Sequence, residues 1–124
     1  MGLLKRMMTR LRQDESQTRE ANLKTWASSQ EGVTLIAESV ARSVVRIAGS
    51  VQALRVRPRE GVPAIEAVVT DGSGTCTAVW LGRRSIPGLT LGVRMFLEGR
   101  LGGTPGDLQI VNPRYEFAEG RTLD

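Results

Sequence analysis

The chain has 124 residues, which is enough for one domain and limits the apolar surface that folding can bury. It has 17 Lys and Arg residues, mostly arginine, and 13 Asp and Glu residues, which give a formal net charge of +4. This charge suits an anionic partner such as nucleic acid or acidic lipid, but a positive charge of this size is also common in proteins where it only maintains solubility. Because the chain contains no histidine, imidazole acid/base chemistry, His-dependent metal sites and Ser-His or Cys-His nucleophiles are excluded.

The cysteine content and the hydropathy of the chain bear on disulfide bonds, membrane insertion and cellular location. The single cysteine, Cys76, excludes an intrachain disulfide, and its place in a strand pattern predicts a small buried hydrophobe. No run approaches the ~18 apolar residues of a membrane-spanning helix, there is no signal-peptide core, and Arg6 stands where N-myristoylation requires Ser or Thr. We therefore expect no transmembrane segment and a cytoplasmic location.

The first predicted element is a short basic amphipathic helix over residues 3–12. One face carries Leu3, Leu4, Met7, Met8 and Leu11, and the other carries Lys5, Arg6, Arg10 and Arg12. Such a helix packs on its own domain, engages a partner helix or lies on an anionic membrane. With one short stripe and no tryptophan anchor, packing on the domain or fraying is the favoured alternative.

A second helix is predicted from the cap-type residues at 14–18 to about Ser28, with Gly32 ending it. Residues 33–43 show no clear period and predict an approach strand or a helical turn. From Val44 to Arg57 the pattern is that of a long strand, and its apolar residues switch parity at Gln52-Ala53. The switch predicts a β-bulge, because one extra residue is needed to keep apolar side chains inward.

A connector at Pro58–Pro63 leads into a predicted hairpin. Its strands are Ala64 to Asp71 and a third strand ending near Leu81, and the turn is Asp-Gly-Ser-Gly. Asp71 lies in that turn, where it is expected to bind backbone N–H groups rather than to act as an acid or base. After a loop at residues 82–89, a fourth strand is predicted at Val93–Leu101 and a fifth at Leu108–Val111, with a turn-rich loop between them.

Five short strands, a bulged first strand and Gly-rich turns predict a mainly β protein, a five-stranded Greek-key barrel of the OB type with one or two N-terminal helices. An SH3-like barrel is the rival architecture. The expected organisation is an N-terminal helical extension at 1–32, a barrel at 33–117 and a flexible tail at 118–124.

Four blocks carry a family resemblance: VRIAGSVQALRVRPR, AVVTDGSGT, GVRMFLEGRL and LQIVNPRYE, within residues 44–117. In this order they resemble the OB-fold nucleic-acid-binding family, especially the wedge domain of RecG-type helicases and small stand-alone OB-fold proteins of actinobacteria. The resemblance implies binding of single-stranded or junction DNA, or RNA, without catalysis. No Gly-x-x-x-x-Gly-Lys-Ser/Thr phosphate loop occurs, which excludes a helicase motor from this chain.

OB domains bind single strands across strands two and three and the adjoining loops. Arg55, Arg57 and Arg59 share one parity and lead into the first of those loops, so they are the main candidates for phosphate contacts. The alternative is a solvated edge whose charges prevent sheet-to-sheet pairing. Arg94 and Arg100, outward on strand four, fit either interpretation, whereas Arg83 and Arg84 lie off the usual face.

Aromatic residues are only 4% of the chain, so few stacking platforms are available. Trp80 shares parity with Cys76 and is expected in the core. Phe96 points outward and either stacks on a base or is covered by the N-terminal amphipathic helix, and we favour the cover. Tyr115 and Phe117 are expected to wrap the barrel or to edge the binding groove.

The sequence thus predicts a non-enzymatic nucleic-acid-binding module that acts mainly through backbone phosphates, with neither metal nor cofactor. Its predicted binding residues are Arg55, Arg57, Arg59, Arg94, Phe96 and Arg100. The alternative is a protein-interaction or scaffold module that self-associates, or attaches to a membrane surface, through residues 3–12. No carboxylate cluster suggests a divalent-metal site.

Overall fold

The computed structural model describes residues 2–118, apart from the side chain of Arg10. The chain forms one long helix, a short 3-10 turn and seven strands. In chain order these are α1 (Gly2–Ser29), the turn at Ile36–Glu38, β1 (Val44–Arg59), β2 (Val62–Thr70), β3 (Thr75–Leu81), β4 (Arg94–Arg100), β5 (Gly102–Thr104), β6 (Asp107–Val111) and β7 (Arg114–Phe117). The mainly β class is confirmed, and most of the predicted flexible tail lies outside the described residues.

One sheet contains all seven strands, in the order β5-β6-β3-β2-β1-β4-β7. All neighbours are antiparallel except β3 and β6, which run parallel. β1 lies between β2 and β4, because its first half pairs with β4 and its second half pairs with β2. The register shifts between Val51 and Ala53, so the predicted bulge is confirmed, and it divides the strand between its two partners.

The sheet is strongly curled. β6 ends at Val111 and β7 begins at Arg114, although these strands stand near opposite ends of the strand order. β4 and β6 also come into contact, since a Cβ on Gly99 would lie 2.7 Å from Cγ2 of Ile110. Within residues 2–118 the two end strands, β5 and β7, do not pair with each other, so the hydrogen-bonded ladder is not closed.

The interior of the curl holds the hydrophobic core. Its fully buried large side chains include Ile47, Val69, Met95, Leu97, Leu101 and Ile110. Trp80 is 4% exposed and its indole N–H donates to the carbonyl oxygen of Pro113 at 3.1 Å, which confirms the predicted core position. Cys76 is buried in the same cluster, also as predicted.

The turn between β2 and β3 is organised by Asp71, whose carboxylate is fully buried. Oδ1 accepts hydrogen bonds from the backbone and hydroxyl of Ser73 and from the Gly74 N–H, while Oδ2 accepts from the Ile36 N–H at 2.8 Å. The expected backbone-binding role is confirmed. Gly72 in this turn has φ 85°, and a Cβ there would lie 2.3 Å from the Glu20 carbonyl oxygen, so only glycine lets α1 pack this closely.

Several predicted elements differ from the structure. The two N-terminal helices are one, because no Gly or Pro interrupts residues 3–29 and the cap-type residues at 14–18 are accommodated inside the helix. The Pro58–Pro63 connector is part of a β1–β2 hairpin whose turn is Glu60-Gly61, with φ of 51° and 83°. The predicted loop after β4 contains β5, and Tyr115 and Phe117 belong to a seventh strand that pairs with β4.

Candidate nucleic-acid interface

Arg55, Arg57 and Arg59, hereafter the arginine row, lie on the outer side of the β1–β2 hairpin. Alternation along β1 after the bulge places them opposite Leu54, which packs against the core. Their side chains are 50%, 53% and 33% exposed, respectively. The predicted shared face of these three residues is therefore present in the structure.

Glu66 on β2 lies between the three guanidinium groups. Its side chain is only 5% exposed, and it is the register partner of Arg55. Oε2 accepts from Nε of Arg59 at 3.0 Å, and the same oxygen lies 3.0 Å from the second terminal nitrogen of that side chain. Nε of Arg57 and Nε of Arg55 lie 3.7 and 3.9 Å from Oε1. A carboxylate this buried requires cationic partners, and Arg59 is the principal one.

The side chain of Arg59 is therefore held by hydrogen bonds, whereas those of Arg55 and Arg57 are less restrained. Arg59 is tied on two sides, because its first terminal nitrogen also donates to Oε1 of Gln109 on β6 at 3.4 Å. The contacts of Arg55 and Arg57 with Glu66 exceed hydrogen-bond length, and both side chains are half exposed. Three positive charges face one negative charge, so this surface keeps an excess of positive charge and free guanidinium donors.

The surface beside the arginine row continues across β2, β3 and β6. Its outer side carries the polar residues Thr77 and Gln109 and the partly exposed apolar residues Leu81 and Val111, whereas Ala64 on the same side is fully buried. None of the five aromatic rings of the chain lies on it: Trp80, Tyr115 and Phe117 pack in or against the core, and Trp26 packs on Phe96. The interface can offer charge and hydrogen-bond donors to a ligand but no aromatic ring for base stacking.

The other three predicted residues lie on β4, away from the arginine row. The Phe96 ring has two neighbours. The centroid of the Trp26 ring, on α1, lies 5.8 Å from the Phe96 centroid, and the Arg46 guanidinium lies 4.4 Å from it. Arg94 places its guanidinium 4.8 Å from the Trp26 centroid. α1 therefore covers Phe96, as favoured from the sequence, but through Trp26 rather than through residues 3–12.

Arg100 ends β4, and its first terminal nitrogen donates to the carbonyl oxygen of Arg42 at 2.6 Å. The structure thus groups the predicted site residues as a row of three on β1, a pair on β4 beneath α1, and Arg100 by itself. Sequence reasoning did not assign Glu66 to the site. Its outward parity beside the arginine row was the available signal, but only the register of β1 against β2 identifies it as their shared partner.

Chemical groups elsewhere in the described chain add no second site. Burial, and secondarily the charge of Asp71, raises the pKa of the Cys76 thiol from 9.0 to about 12, so the thiol stays protonated at neutral pH. Residues 2–118 contain no group of three metal-ligating side chains placed to hold an ion. Over the same range no helix is long and apolar enough to cross a membrane.

Comparison with known proteins finds a likeness among solved structures but none to a family or a curated protein. No family model matches the chain, and no curated protein matches it. The structure is similar to a chain described under "Structure and Conformational Change of a Replication Protein A Heterotrimer Bound to ssDNA", with a TM-score of 0.48 and 11% identity over 72% of this chain and 67% of that one. At this level of similarity we base the proposals below on this chain's own strand pairing and surface.

Proposed function

We propose that this protein is a non-catalytic OB-type module that binds single-stranded or branched nucleic acid, DNA or RNA, on the outer face of β1, β2, β3 and β6. The binding energy comes mainly from phosphate contacts by the arginine row. The observation that carries the proposal is the row itself: three guanidinium groups on one strand lie around one buried carboxylate, which binds Arg59 and leaves the surface with an excess of positive charge.

The OB assignment is supported by how β1 is shared. A bulged first strand that pairs with β2 on one side and with β4 on the other is a means of curling a small sheet into a barrel. Strands β1, β2, β3, β4 and β6 are the five strands of the proposed Greek-key barrel, and the parallel pairing of β6 with β3 brings the last of them beside the binding face. β5 and β7 are additions to it. The OB barrel is a partly open one, which accords with a ladder that is not closed.

The guanidinium geometry favours phosphate over other anions of similar charge. Arginine offers a planar set of donors that matches two phosphate oxygens at once. Glu66 keeps Arg59 in place, so part of the conformational entropy of the row is already lost before a ligand arrives. Because no aromatic ring lies on the face, we expect weak sequence preference and a strong dependence of affinity on salt.

Arg94, Phe96 and Arg100 remain predicted contacts of a secondary kind. Arg94 and Phe96 already contact Trp26, so α1 has to move before either side chain reaches a nucleic acid. Arg100 is exposed and needs no such movement. Its guanidinium, however, already donates to the Arg42 carbonyl oxygen and lies off the proposed face, so its replacement by Gln is expected to weaken binding less than the same change at Arg57.

The test compares two variants with the same change in charge. Arg55→Gln with Arg57→Gln removes two guanidiniums from the row while leaving the Arg59–Glu66 pair intact. Arg83→Gln with Arg84→Gln removes two exposed guanidiniums from the β3–β4 loop, off the proposed face. Affinities are measured by fluorescence anisotropy with labelled single-stranded DNA, single-stranded RNA and forked DNA, between 20 and 300 mM salt, roughly the range over which phosphate contacts lose most affinity.

Each phosphate contact with a single strand contributes a salt slope of about 0.7, which corresponds to about fivefold in affinity at 0.1 M salt relative to 1 M. The row variant is thus expected to bind about 25-fold more weakly, with a slope lower by about 1.4, and the loop variant is expected to change far less. Equal losses in both variants would show that only net charge matters. No binding by the unaltered protein at the lowest salt would refute the proposed function.

A further inference from the structure

The first two thirds of α1 extend beyond the domain. The helix first meets the sheet near Glu20, whose carbonyl lies against Gly72, and its first buried side chain is Leu23. Every described side chain from residue 2 to residue 22 is exposed. At 1.5 Å per residue, residues 2–19 form a projection about 27 Å long that the domain leaves uncovered.

This projection carries an apolar stripe that nothing in the described chain buries. Its members and their exposed fractions are Leu3 75%, Leu4 68%, Met7 55%, Met8 49% and Leu11 60%. They recur at helical spacing and occupy somewhat less than half of the helix circumference. A contiguous apolar face of this kind is unfavourable in water and indicates an interaction surface.

Most of the stripe is offset from the face with which α1 packs on the sheet, and only Met8 lies in line with a residue of that face, Trp26. Leu23, Trp26 and Ala27 form that packed face. With 100° between successive residues, the centre of the apolar stripe lies about 120° around the helix from it. The favoured prediction for residues 3–12, packing on their own domain or fraying, is therefore wrong: these residues are helical, and a straight helix that docks through Leu23 and Ala27 directs most of the stripe away from the sheet.

The charge around the stripe is of one sign. Residues 2–13 contain four basic residues and no acidic one. By helical position Arg6 lies on one side of the stripe, whereas Lys5 and Arg12 lie on the other, and all three side chains are exposed. A stripe of leucine and methionine with basic residues on both sides fits an anionic membrane surface, where long basic side chains reach the headgroups.

We propose that residues 2–13 lie along an anionic membrane surface, with the apolar stripe at the boundary between headgroups and acyl chains. Charge argues for this occupant over a second copy of the chain, because two copies packed through Leu3–Leu11 would bring the basic residues of both helices together along an interface of about three turns. The proposal is independent of the nucleic-acid site, since it uses none of the residues of that face.

The test uses the full chain and sedimentation with vesicles. One set of vesicles contains equal parts of phosphatidylglycerol and phosphatidylcholine, and the other contains phosphatidylcholine alone. Leu4→Gln with Leu11→Gln removes apolar area at constant charge, and Lys5→Gln, Arg6→Gln and Arg12→Gln together remove charge at constant apolar area. The matched control is Thr9→Gln with Ser16→Gln, two exposed positions on the opposite side of the helix.

We expect the protein to bind the anionic vesicles and not the neutral ones. Loss of three basic residues should weaken binding about a hundredfold, at about fivefold each, and the leucine variant should weaken it at least about tenfold. The control should bind as the unaltered protein does. Since none of these side chains contacts the sheet, thermal unfolding of the domain should stay unchanged in all three variants.

Two results would overturn the proposal. Binding that survives in the leucine variant would be mere adsorption of a basic protein, and absence of binding to anionic vesicles at low salt would leave the membrane role without support. Sedimentation velocity tests whether a second copy of the chain covers the stripe instead. A protein that does not bind vesicles, but forms a dimer that dissociates when Leu4 and Leu11 are replaced, would assign the stripe to that second copy.

Discussion

Replacing Arg59 by Gln tests whether the buried carboxylate of Glu66 depends on the arginine row. Arg59 makes the two shortest contacts to Glu66, both at 3.0 Å, whereas the contacts of Arg55 and Arg57 are 3.9 and 3.7 Å long. With Arg59 gone, a side chain that is 5% exposed keeps only these longer contacts. The substitution should therefore destabilise the domain, although Arg59 is on the surface.

The magnitude follows from burial. Removing one partner of a fully buried ion pair costs about 3–5 kcal/mol. Arg59 is 33% exposed, two other guanidiniums stay nearby, and Gln can still donate one hydrogen bond, so screening and partial compensation reduce the expected loss to about 1–2 kcal/mol. Adding Glu66→Gln removes the charge that needed compensation, and the double variant should recover most of that loss.

Urea unfolding, followed by the fluorescence of Trp26 and Trp80, measures these differences in the free energy of unfolding. Arg55→Gln is the matched control, and it should change stability by less than about 0.5 kcal/mol because Arg55 is half exposed and its contact is long. If Arg59→Gln is as stable as the unaltered protein, or if Glu66→Gln restores nothing, then Glu66 does not hold the row as inferred. This is also why the binding test leaves Arg59 in place.

Three further changes examine the core and the β2–β3 turn. Asp71→Asn turns an N–H₂ group toward one of the donors that the carboxylate satisfies, such as the Ile36 N–H, and should cost about 1–3 kcal/mol in urea unfolding. Cys76 keeps a proton in the folded state up to a pKa of about 12 that the unfolded chain releases near 9.0. Stability from this group is therefore complete below pH 9 and falls by about 1.4 kcal/mol per pH unit above it, a slope that Cys76→Ala should remove. Gly49→Ala places a Cβ 2.6 Å from the Thr70 carbonyl oxygen, and the melting temperature should fall in line with a loss of about 2–3 kcal/mol.

Local patterns predicted the sheet well where one face is buried. Alternation of apolar residues predicted the bounds of β2, β3 and β4 to within about two residues, because a one-residue slip in register would turn every core side chain outward. The parity switch at Gln52-Ala53 gave the bulge for the same reason, and the structure shifts register there. In both cases the physical information lies within a few consecutive residues.

The errors arise where local signals have two meanings. Asp14, Glu15 and Ser16 are common at the start of a helix, but they also fit an exposed helix interior when no glycine or proline breaks the chain. Pro58 and Pro63 suggest a loop, yet they stand opposite each other in a ladder whose turn is the Glu60-Gly61 pair. β7 is only four residues long and carries charged outer positions, so its pattern was too short to detect.

The arrangement of the candidate site residues was predictable in part, because shared parity along one strand needs no knowledge of the partner strands. The arginine row follows from alternation along one strand, whereas Glu66 joins it through the register of two strands. Trp26 reaches Phe96 through the direction in which α1 leaves the sheet. The last two are tertiary relations, and no window of the sequence contains them.

The packing of α1 covers the outer side of β4 and leaves the outer side of the β1–β2 hairpin exposed. Trp26 occupies the outer side of β4 over Phe96, and the same docking directs the basic N-terminal turns of the helix away from the domain. The arginine row on the β1–β2 hairpin stays uncovered as a result. Taken together, the two proposals predict that the chain binds two polyanions at once, one on its sheet and one on its projecting helix. The discriminating observation is whether vesicle binding survives saturation with oligonucleotide, because a single shared basic surface would force the two ligands to compete.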